Sequence, residues 1–290
     1  MSKGKHPLPQ PTFGYITLYQ YMSWENAEKV FTNWELKATL PHHTNDPFEL
    51  MISDDEPSES IVNECCNNRH EKQCDICFLC FSKVNSSAAL WGHYGDSHQG
   101  ICLQFSFPLA YISMINDEIH HACINTEKEF YGSLFKMNYC RNRFDSRTVR
   151  EEDYTILVEN GKKLVIPFYG LASIKDESWA FEQEYRIILS FETASRLHNG
   201  MVFYNVPMDY LTGIDLGIRC KHNIHYVQRW IQHTLKKNNP KILLNGTPEK
   251  DKVAIRQMVP SRTTFEVEPS KEETSLFIRH SRDYIVPPIA

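Results

Sequence analysis

Short strand-like runs alternate with a few helical segments along the whole chain, and this alternation limits the possible folds most strongly. Tyr15–Tyr21, residues 101–107 and residues 184–191 are rich in aromatic and β-branched side chains or alternate polar with apolar residues. An amphipathic helix is predicted after the N-cap candidate Ser23, and another in residues 223–238, before Asn239-Pro240. There is no internal repeat, so the sequence predicts an α+β fold.

The predicted architecture is a single domain spanning residues 14–268, built on a mixed, mostly antiparallel sheet with flanking helices. Residues 1–13 and 269–290 are expected to be tails. Insertions are expected near residues 50–75 and 109–160, and the second insertion is polar enough to be interpreted as helical.

Composition and charge narrow the function classes. The chain has 290 residues with 41% hydrophobic residues and a net charge of -5, so no overall basic field is available to hold a polyanion. A nucleic-acid partner would need a local basic patch, and the basic, aromatic residues 135–150 are one candidate. No apolar run has the length of a membrane span, which predicts a soluble, cytoplasmic protein without a membrane partner.

Nine cysteines are present, an odd number that favours reduced thiols over a disulfide framework. Five of them could instead provide thiolates for a structural zinc ion: Cys65, Cys66, Cys74, Cys77 and Cys80. Because a second, well-spaced C-x-x-C pair is missing, buried free thiols are the favoured interpretation.

Glu182 and Glu184 form the most informative polar motif, in the segment WAFEQEYR. Two residues separated by one residue on a strand point to the same face, so both carboxylates and Arg186 are predicted to be neighbours. The alternative is a polar edge strand facing solvent. Lys175 precedes this strand and is either a phosphate contact or an exposed loop charge.

Aromatic side chains form two further candidate clusters. Trp91 and Tyr94 are spaced as neighbours on a helix beside a glycine-containing loop. Tyr19 and Tyr21 share one strand face, with Gln20 on the other. Core packing explains each cluster equally well. The sequence contains no H-E-x-x-H, G-x-S-x-G or glycine-rich phosphate motif.

Taken in order, five segments carry a resemblance to a known family: TLYQYMSWENAEKVFTNWELKAT, TNDPFE, CFS with LWGHYGDSHQGICLQF, KDESWAFEQEYRI and DLGIRC. Together they resemble the bacterial domain of unknown function family 2971 over about residues 16–245. The opening strand and helix, with the late E-x-E segment, are also similar in layout to ADP-ribosyltransferases. Many relatives read L-Y-H-Y-T-S at the opening, so the family's histidine falls on Gln20 in this chain.

The resemblance implies an NAD-dependent ADP-ribosyltransferase, with NAD as its substrate and an RNA, DNA or protein as the acceptor. It implies that Glu184 stabilises the oxocarbenium-like transition state and that Glu182 orients or deprotonates the acceptor. The implied cofactor-binding residues are Tyr19, Gln20, Tyr21, Trp91, Tyr94 and Arg186. The implied biological role is a toxin or phage-defence effector, with a possible neutralising antitoxin as partner.

Two other functions remain open from the sequence. One is a noncatalytic module that binds a nucleotide or a partner, favoured by Gln20. The other is a nuclease that holds Mg²⁺ through Asp46, Glu49, Glu182 and Glu184. Asn45 and Asp46 precede Pro47, however, and are better interpreted as a structural turn.

Overall fold

The computed structural model describes residues 14–48, 76–115, 118–125, 131–142, 154–159, 162–167, 172–190, 194–205, 210–238, 242–243 and 252–280. Within these ranges the helices are α1 (Trp24–Asn33), α2 (Ala88–His93) and α3 (Ile224–Asn238), with 3-10 helices η1 (Pro41–His43) and η2 (Glu177–Glu182).

The strands up to Pro167 are β1 (Gly14–Met22), β2 (Glu35–Ala38), β3 (Ile76–Ser82), β4 (Ile101–Ile115), β5 (Glu118–Asn125), β6 (Tyr131–Lys136), β7 (Asn138–Cys140), β8 (Tyr154–Glu159) and β9 (Lys162–Pro167). The later strands are β10 (Ile174–Asp176), β11 (Glu184–Ser190), β12 (Arg196–His198), β13 (Met201–Asn205), β14 (Leu211–Leu216), β15 (Ile242–Leu243), β16 (Lys252–Pro260), β17 (Val267–Phe277) and β18 (Arg279–His280).

The chain divides into two compact units. The first comprises Met1–Ile16, Leu36–Lys83 and Phe107–Asn205, and the second comprises Thr17–Glu35, Val84–Ser106 and Val206–Ala290. Both units combine strands with short or long helical segments. The predicted α+β fold on a mixed, mostly antiparallel sheet is confirmed, while the single-domain boundaries stay a prediction.

In the first unit, β11 pairs with β3 on one side and with β6 on the other, both antiparallel. The sheet continues antiparallel from β6 to β5 and to the last part of β4. Phe78, Phe135, Ala172 and Ile188 form a buried apolar cluster, with Cys80 packed against it. Strand β11, which begins at Glu184 of the E-x-E segment, is therefore central in this sheet, and its side chains are shielded from water.

In the second unit, β14 lies between β4, its antiparallel neighbour, and β16, its parallel neighbour. Helix α1 begins at Ser23, whose hydroxyl accepts from the backbone N–H of Asn26, as the sequence predicted. The apolar face of α3 is buried, and the helix packs against α1, β16 and β17. The helix predicted before Asn239-Pro240 is thus confirmed.

The prediction of a helical insertion at residues 109–160 is wrong. Every regular element described there is a strand, from the end of β4 to β8. The backbone groups of this segment are paired between consecutive antiparallel strands, for example Ile115 with Glu118 at the β4–β5 turn and His121 with Phe135 between β5 and β6. Such pairing stabilises a polar segment as a sheet without leaving an amphipathic period in the sequence.

Candidate active site at Lys175–Arg186

A sharp change of backbone direction brings the two glutamates of the E-x-E segment together. Glu182 is the last residue of η2, Gln183 has a left-handed backbone (φ 44°), and Glu184 begins β11. Asp176 caps η2 by accepting from the backbone N–H of Ser178 at 2.9 Å. The two carboxylates are therefore neighbours because of a turn, and the expectation that both lie on one face of a strand is wrong.

Lys175 bridges the two carboxylates. Its Nζ donates to Glu182 Oε2 and, at 3.0 Å, to Glu184 Oε2. Arg186 donates from Nε to Glu184 Oε1 at 2.7 Å and from Nη2 to Glu184 Oε2 at 3.2 Å. All four side chains are buried, and their charges cancel. We call Lys175, Glu182, Glu184 and Arg186 the charge cluster.

Neutral groups fix the geometry of the charge cluster. Arg186 Nη1 donates to the carbonyl of Ala172 at 3.0 Å, and its guanidinium lies 4.9 Å from the ring centroid of Phe78. Lys175 Nζ lies 4.9 Å from the ring centroid of the half-buried Trp179. Tyr139 OH accepts from the backbone N–H of Glu184 at 2.8 Å. Positive charge is thus held in place on several sides of Glu184.

Electrostatics keep Glu184 ionised. Burial raises the pKa of its carboxyl, but Arg186 and Lys175 outweigh burial and lower the pKa to about 2. Burial lowers the pKa of Lys175, whereas Glu184 and Glu182 raise it, and the net shift is upward. Burial also raises the pKa of the Cys80 thiol beside Glu184. Glu184 is consequently a fixed negative charge and a poor proton donor.

Lys175 itself departs from both sequence interpretations. It is 8% exposed and bound to two carboxylates, so it is not an exposed loop charge, and its amino group is already engaged by protein ligands. This bridge has no signal in the sequence, because nothing in the spacing of Lys175 and Glu184 indicates the left-handed turn at Gln183.

The predicted aromatic residues lie in the second unit. The rings of Tyr21 and Trp91 meet edge to face, with centroids 5.1 Å apart. Tyr21 OH donates to the carbonyl of Val84 and Trp91 Nε1 to that of Asn85, both at 2.8 Å. Trp91 has no exposed surface, so its ring is not open to a ligand in this conformation, and its implied part in binding NAD stays a prediction.

The other three predicted cofactor residues retain some exposure. Tyr19 and Tyr94 are half-buried, and Tyr19 packs in the same cluster as Tyr21 and Trp91. Gln20 alternates to the other side of β1, and its buried Oε1 has no hydrogen-bond partner among the residues that the structure describes. Arg186 and the two glutamates belong to the first unit, so the structure divides the predicted residues between the two units.

A second buried polar cluster in the second unit was missed by sequence reasoning. Asp215 is fully buried and accepts from Arg256 Nε at 2.7 Å and from Asn85 Nδ2 at 2.8 Å. Arg256 Nη2 donates to Gln104 Oε1 at 2.8 Å. Burial raises the pKa of Asp215, an effect that Arg256 partly offsets. Its position in DLGIRC was the only signal, since Arg256 is remote in sequence.

The zinc and nuclease alternatives gain no geometric support. Cys77 is buried, its Sγ 3.1 Å from Tyr204 OH, and it lies on β3 with Cys80. Cys65, Cys66, Cys74 and Glu49 lie outside the described residues. Asp46 accepts from the backbone N–H of Phe48 at 2.9 Å, which confirms the structural turn. In the described part of the chain, no three His, Cys, Asp or Glu side chains are grouped to hold a metal ion.

Fold and site define an α+β protein with a buried, charge-balanced cluster at the start of a central strand. Residues 90–187, about a third of the chain, match the model of a family described as "Protein of unknown function (DUF2971)". The matched segment includes the whole charge cluster, and the match supports the resemblance to this family. No curated protein and no solved structure matches the chain. Within the described residues, no helix is long and apolar enough to cross a membrane.

Proposed function

We propose that the protein is an NAD-dependent ADP-ribosyltransferase in which Glu184 is the catalytic carboxylate. The observation that carries the proposal is the setting of Glu184, a 5% exposed carboxylate that accepts from Arg186 at 2.7 Å and from Lys175 at 3.0 Å, and these two cations keep its pKa low. Loss of nicotinamide from NAD creates positive charge on the ribose. A fixed carboxylate with little water around it stabilises that charge more strongly than a hydrated one.

Glu182 is the second carboxylate of the proposed site. Glu182 and Glu184 both pair with Lys175, one on each side of its amino group. If Glu182 takes a proton from an acceptor, Lys175 can remain paired with Glu184. Trp179 is half-buried and adjoins Lys175, which makes its ring a candidate platform for a planar base within the same unit. The roles of Tyr19, Gln20 and Tyr94 in binding NAD stay predictions.

The proposal has a structural requirement. Both oxygens of Glu184 already accept from Lys175 or Arg186. A ribose hydroxyl must therefore add a further hydrogen bond to Glu184 or displace one of these donors. Carboxylate oxygens have about four acceptor positions in total, so an additional donor can be accommodated.

A noncatalytic nucleotide- or partner-binding module is the second candidate. It is favoured by the balanced charge of the cluster, since a purely structural ion network needs no ligand to complete it. The glutamine at position 20, where relatives carry histidine, points the same way.

Labelled NAD distinguishes these candidates. The purified protein is incubated with cell lysate and NAD labelled in the adenylate phosphate, and the products are divided by protease and nuclease digestion. Glu184→Gln keeps the shape of the side chain but removes its charge, and we expect it to reduce labelling by about 100-fold or more. Glu177→Gln is the matched control, because Glu177 is an exposed carboxylate on η2 that pairs with Arg141 at 2.7 Å.

Three outcomes are decisive. Labelling by the native protein and by Glu177→Gln, but not by a folded Glu184→Gln variant, supports the transferase and identifies its acceptor class. Equal labelling by both variants removes Glu184 from the mechanism. An absence of labelling by the native protein in lysates with either digestion contradicts the transferase and favours the binding module.

A further inference from the structure

The region around α3 is a basic segment in an acidic protein. No Asp or Glu occurs between Asp215 and Glu249, whereas six Lys and Arg residues do, and the chain as a whole has a net charge of -5. Five of the six lie in the described residues and are exposed: Arg219, Lys221, Arg229, Lys236 and Lys237. This distribution creates a local positive surface that the total charge conceals.

The sequence of α3 places basic and aromatic side chains on one outer stripe. Within α3, Tyr226, Arg229, His233 and Lys237 follow one another at intervals of three or four residues, the spacing of neighbours on a helix face, and His222 precedes the helix. Tyr226 is 42% exposed. The opposite face carries the buried residues, among them Val227 and Ile231, and is covered by the rest of the unit.

Aromatic rings form a row beside these cations. The His222 and Tyr226 rings stack with centroids 4.5 Å apart and an interplanar angle of 14°. Trp24 of α1 lies 4.3 Å from His222 and 5.3 Å from Trp230, between ring centroids. We define the α3 surface as these four aromatic residues together with the flanking basic residues: Trp24, His222, Tyr226, Trp230, Arg229, His233, Lys236 and Lys237.

Carboxylates of α1 and β17 lie next to residues of this surface or of α3. Glu28 accepts from Trp24 Nε1 at 3.0 Å, and Glu272 Oε1 lies 3.7 Å from His225 Nε2. Glu25 is paired with Lys29 at 2.9 Å. No ion pair within the described residues involves Arg229, Lys236 or Lys237, so their charges are available to an external anion.

The chemistry of the α3 surface fits a single-stranded nucleic acid better than other polyanions. The exposed ring of Tyr226 offers a surface on which an unpaired base can stack, the other three rings are half-buried beside it, and the nearby Lys and Arg side chains neutralise phosphates. A membrane-binding amphipathic helix would need to insert its apolar face, but that face of α3 is buried. An acidic peptide would use the cations and leave the row of rings without a role.

We propose that the α3 surface binds single-stranded RNA or DNA with little sequence preference. Arg229, Lys236 and Lys237 contact phosphates, and Tyr226 stacks on a base. The surface lies outside the family match at residues 90–187. Binding requires neither NAD nor Glu184, so the inference stands or falls independently of the proposed transferase.

Fluorescence anisotropy tests the proposal directly. Fluorescein-labelled RNA and DNA strands of mixed sequence, about 20 nucleotides long to span several stacked bases, are titrated with the full chain over a range of salt concentrations. The variants are Tyr226→Ala, Tyr226→Phe and Arg229→Gln/Lys237→Gln. Lys271→Gln is the control, because Lys271 is an exposed lysine on β17 and does not belong to the α3 surface as defined. Circular dichroism verifies that each variant is folded.

Loss of stacking in Tyr226→Ala should weaken binding by about fivefold or more, whereas Tyr226→Phe and Lys271→Gln should bind like the native protein. Loss of two phosphate contacts in Arg229→Gln/Lys237→Gln should reduce the slope of log affinity against log salt by roughly 1.4. The proposal is overturned if the native protein binds neither strand at low salt, or if folded Tyr226→Ala and Arg229→Gln/Lys237→Gln bind as well as the native protein. It is also overturned if phosphatidylserine vesicles or polyglutamate bind at this surface and the oligonucleotides do not.

Discussion

Lys175→Met is predicted to destabilise the protein strongly at neutral pH and weakly at acidic pH. Methionine keeps the apolar stem of the side chain but removes the cation that bridges Glu182 and Glu184. Arg186 then faces two buried carboxylates alone, and the charge cluster carries one uncompensated negative charge. Leaving a buried charge without its partner costs about 3–5 kcal/mol in measured cases.

Protonation limits this cost and gives it a characteristic pH dependence. A glutamate with an ordinary pKa near 4.3 can take up a proton once its folded-state pKa reaches the ambient pH. If ionised Glu182 neither stabilises nor destabilises the native protein, the loss of stability in Lys175→Met cannot exceed the free energy of protonating a glutamate. That free energy is about 4 kcal/mol at pH 7 and about 1 kcal/mol at pH 5. Removal of the Lys175 cation raises the folded-state pKa of the carboxyl group that loses its partner. The variant therefore loses stability as the pH rises from about 4 to 7.

Urea unfolding followed by circular dichroism at pH 5 and pH 7 measures both values. Lys29→Met is the control, since Lys29 pairs with Glu25 at the exposed surface of α1 and should contribute less than about 0.5 kcal/mol. The double variant Lys175→Met/Glu182→Gln restores the charge balance around the intact Glu184–Arg186 pair, and it should recover most of the stability. A loss below about 1 kcal/mol at pH 7, with additive effects in the double variant, would refute the buried bridge.

Two further predictions concern acid stability and glycine packing. The pKa of Glu184 is depressed, so its contribution to stability is present above its unfolded pKa of about 4.5 and is lost as the pH falls toward 2. Urea unfolding at pH 5 and pH 3 should therefore show a larger loss of stability for the native protein than for Glu184→Gln. Equal losses in the two proteins would contradict the depressed pKa. Gly100→Ala should destabilise by more than about 2 kcal/mol in thermal unfolding, because its Cβ would meet the carbonyl oxygen of Met22 at 2.1 Å. Gly92→Ala meets nothing within 4 Å and lies in α2, so it should be neutral or stabilising, and equal melting temperatures for the two variants would argue against this packing.

Local signals in the sequence predicted the elements whose structure is determined locally. Ser23 begins α1 as expected, and the period of residues 223–238 gives α3 with its apolar face buried. The strand over residues 184–190 is also as predicted. The strands at residues 109–125 were not predicted because they are stabilised by pairing with each other and with β6, which polarity alone does not show.

The candidate site could be predicted only in part for a similar reason. The proximity of Glu182, Glu184 and Arg186 follows from their short spacing. Their bridge through Lys175 depends on a left-handed glutamine at position 183, a conformation that glutamine seldom adopts and that no motif indicates. The Asp215–Arg256 pair depends on the parallel register of β14 and β16, which is a property of the tertiary fold.

The most direct test of the proposed transferase is nicotinamide release from NAD by a charge-balanced variant. Glu184→Gln/Arg186→Met removes one negative and one positive charge and leaves the Lys175–Glu182 pair in place, so a loss of activity would not reflect an unpaired buried charge. Chromatography of nicotinamide after incubation with lysate provides the measurement, and circular dichroism verifies the fold. We expect the native protein to release nicotinamide, and we expect the rate of release to fall by about 100-fold or more in the folded double variant. Release at the native rate by that variant, or none by the native protein, would contradict the proposed transferase.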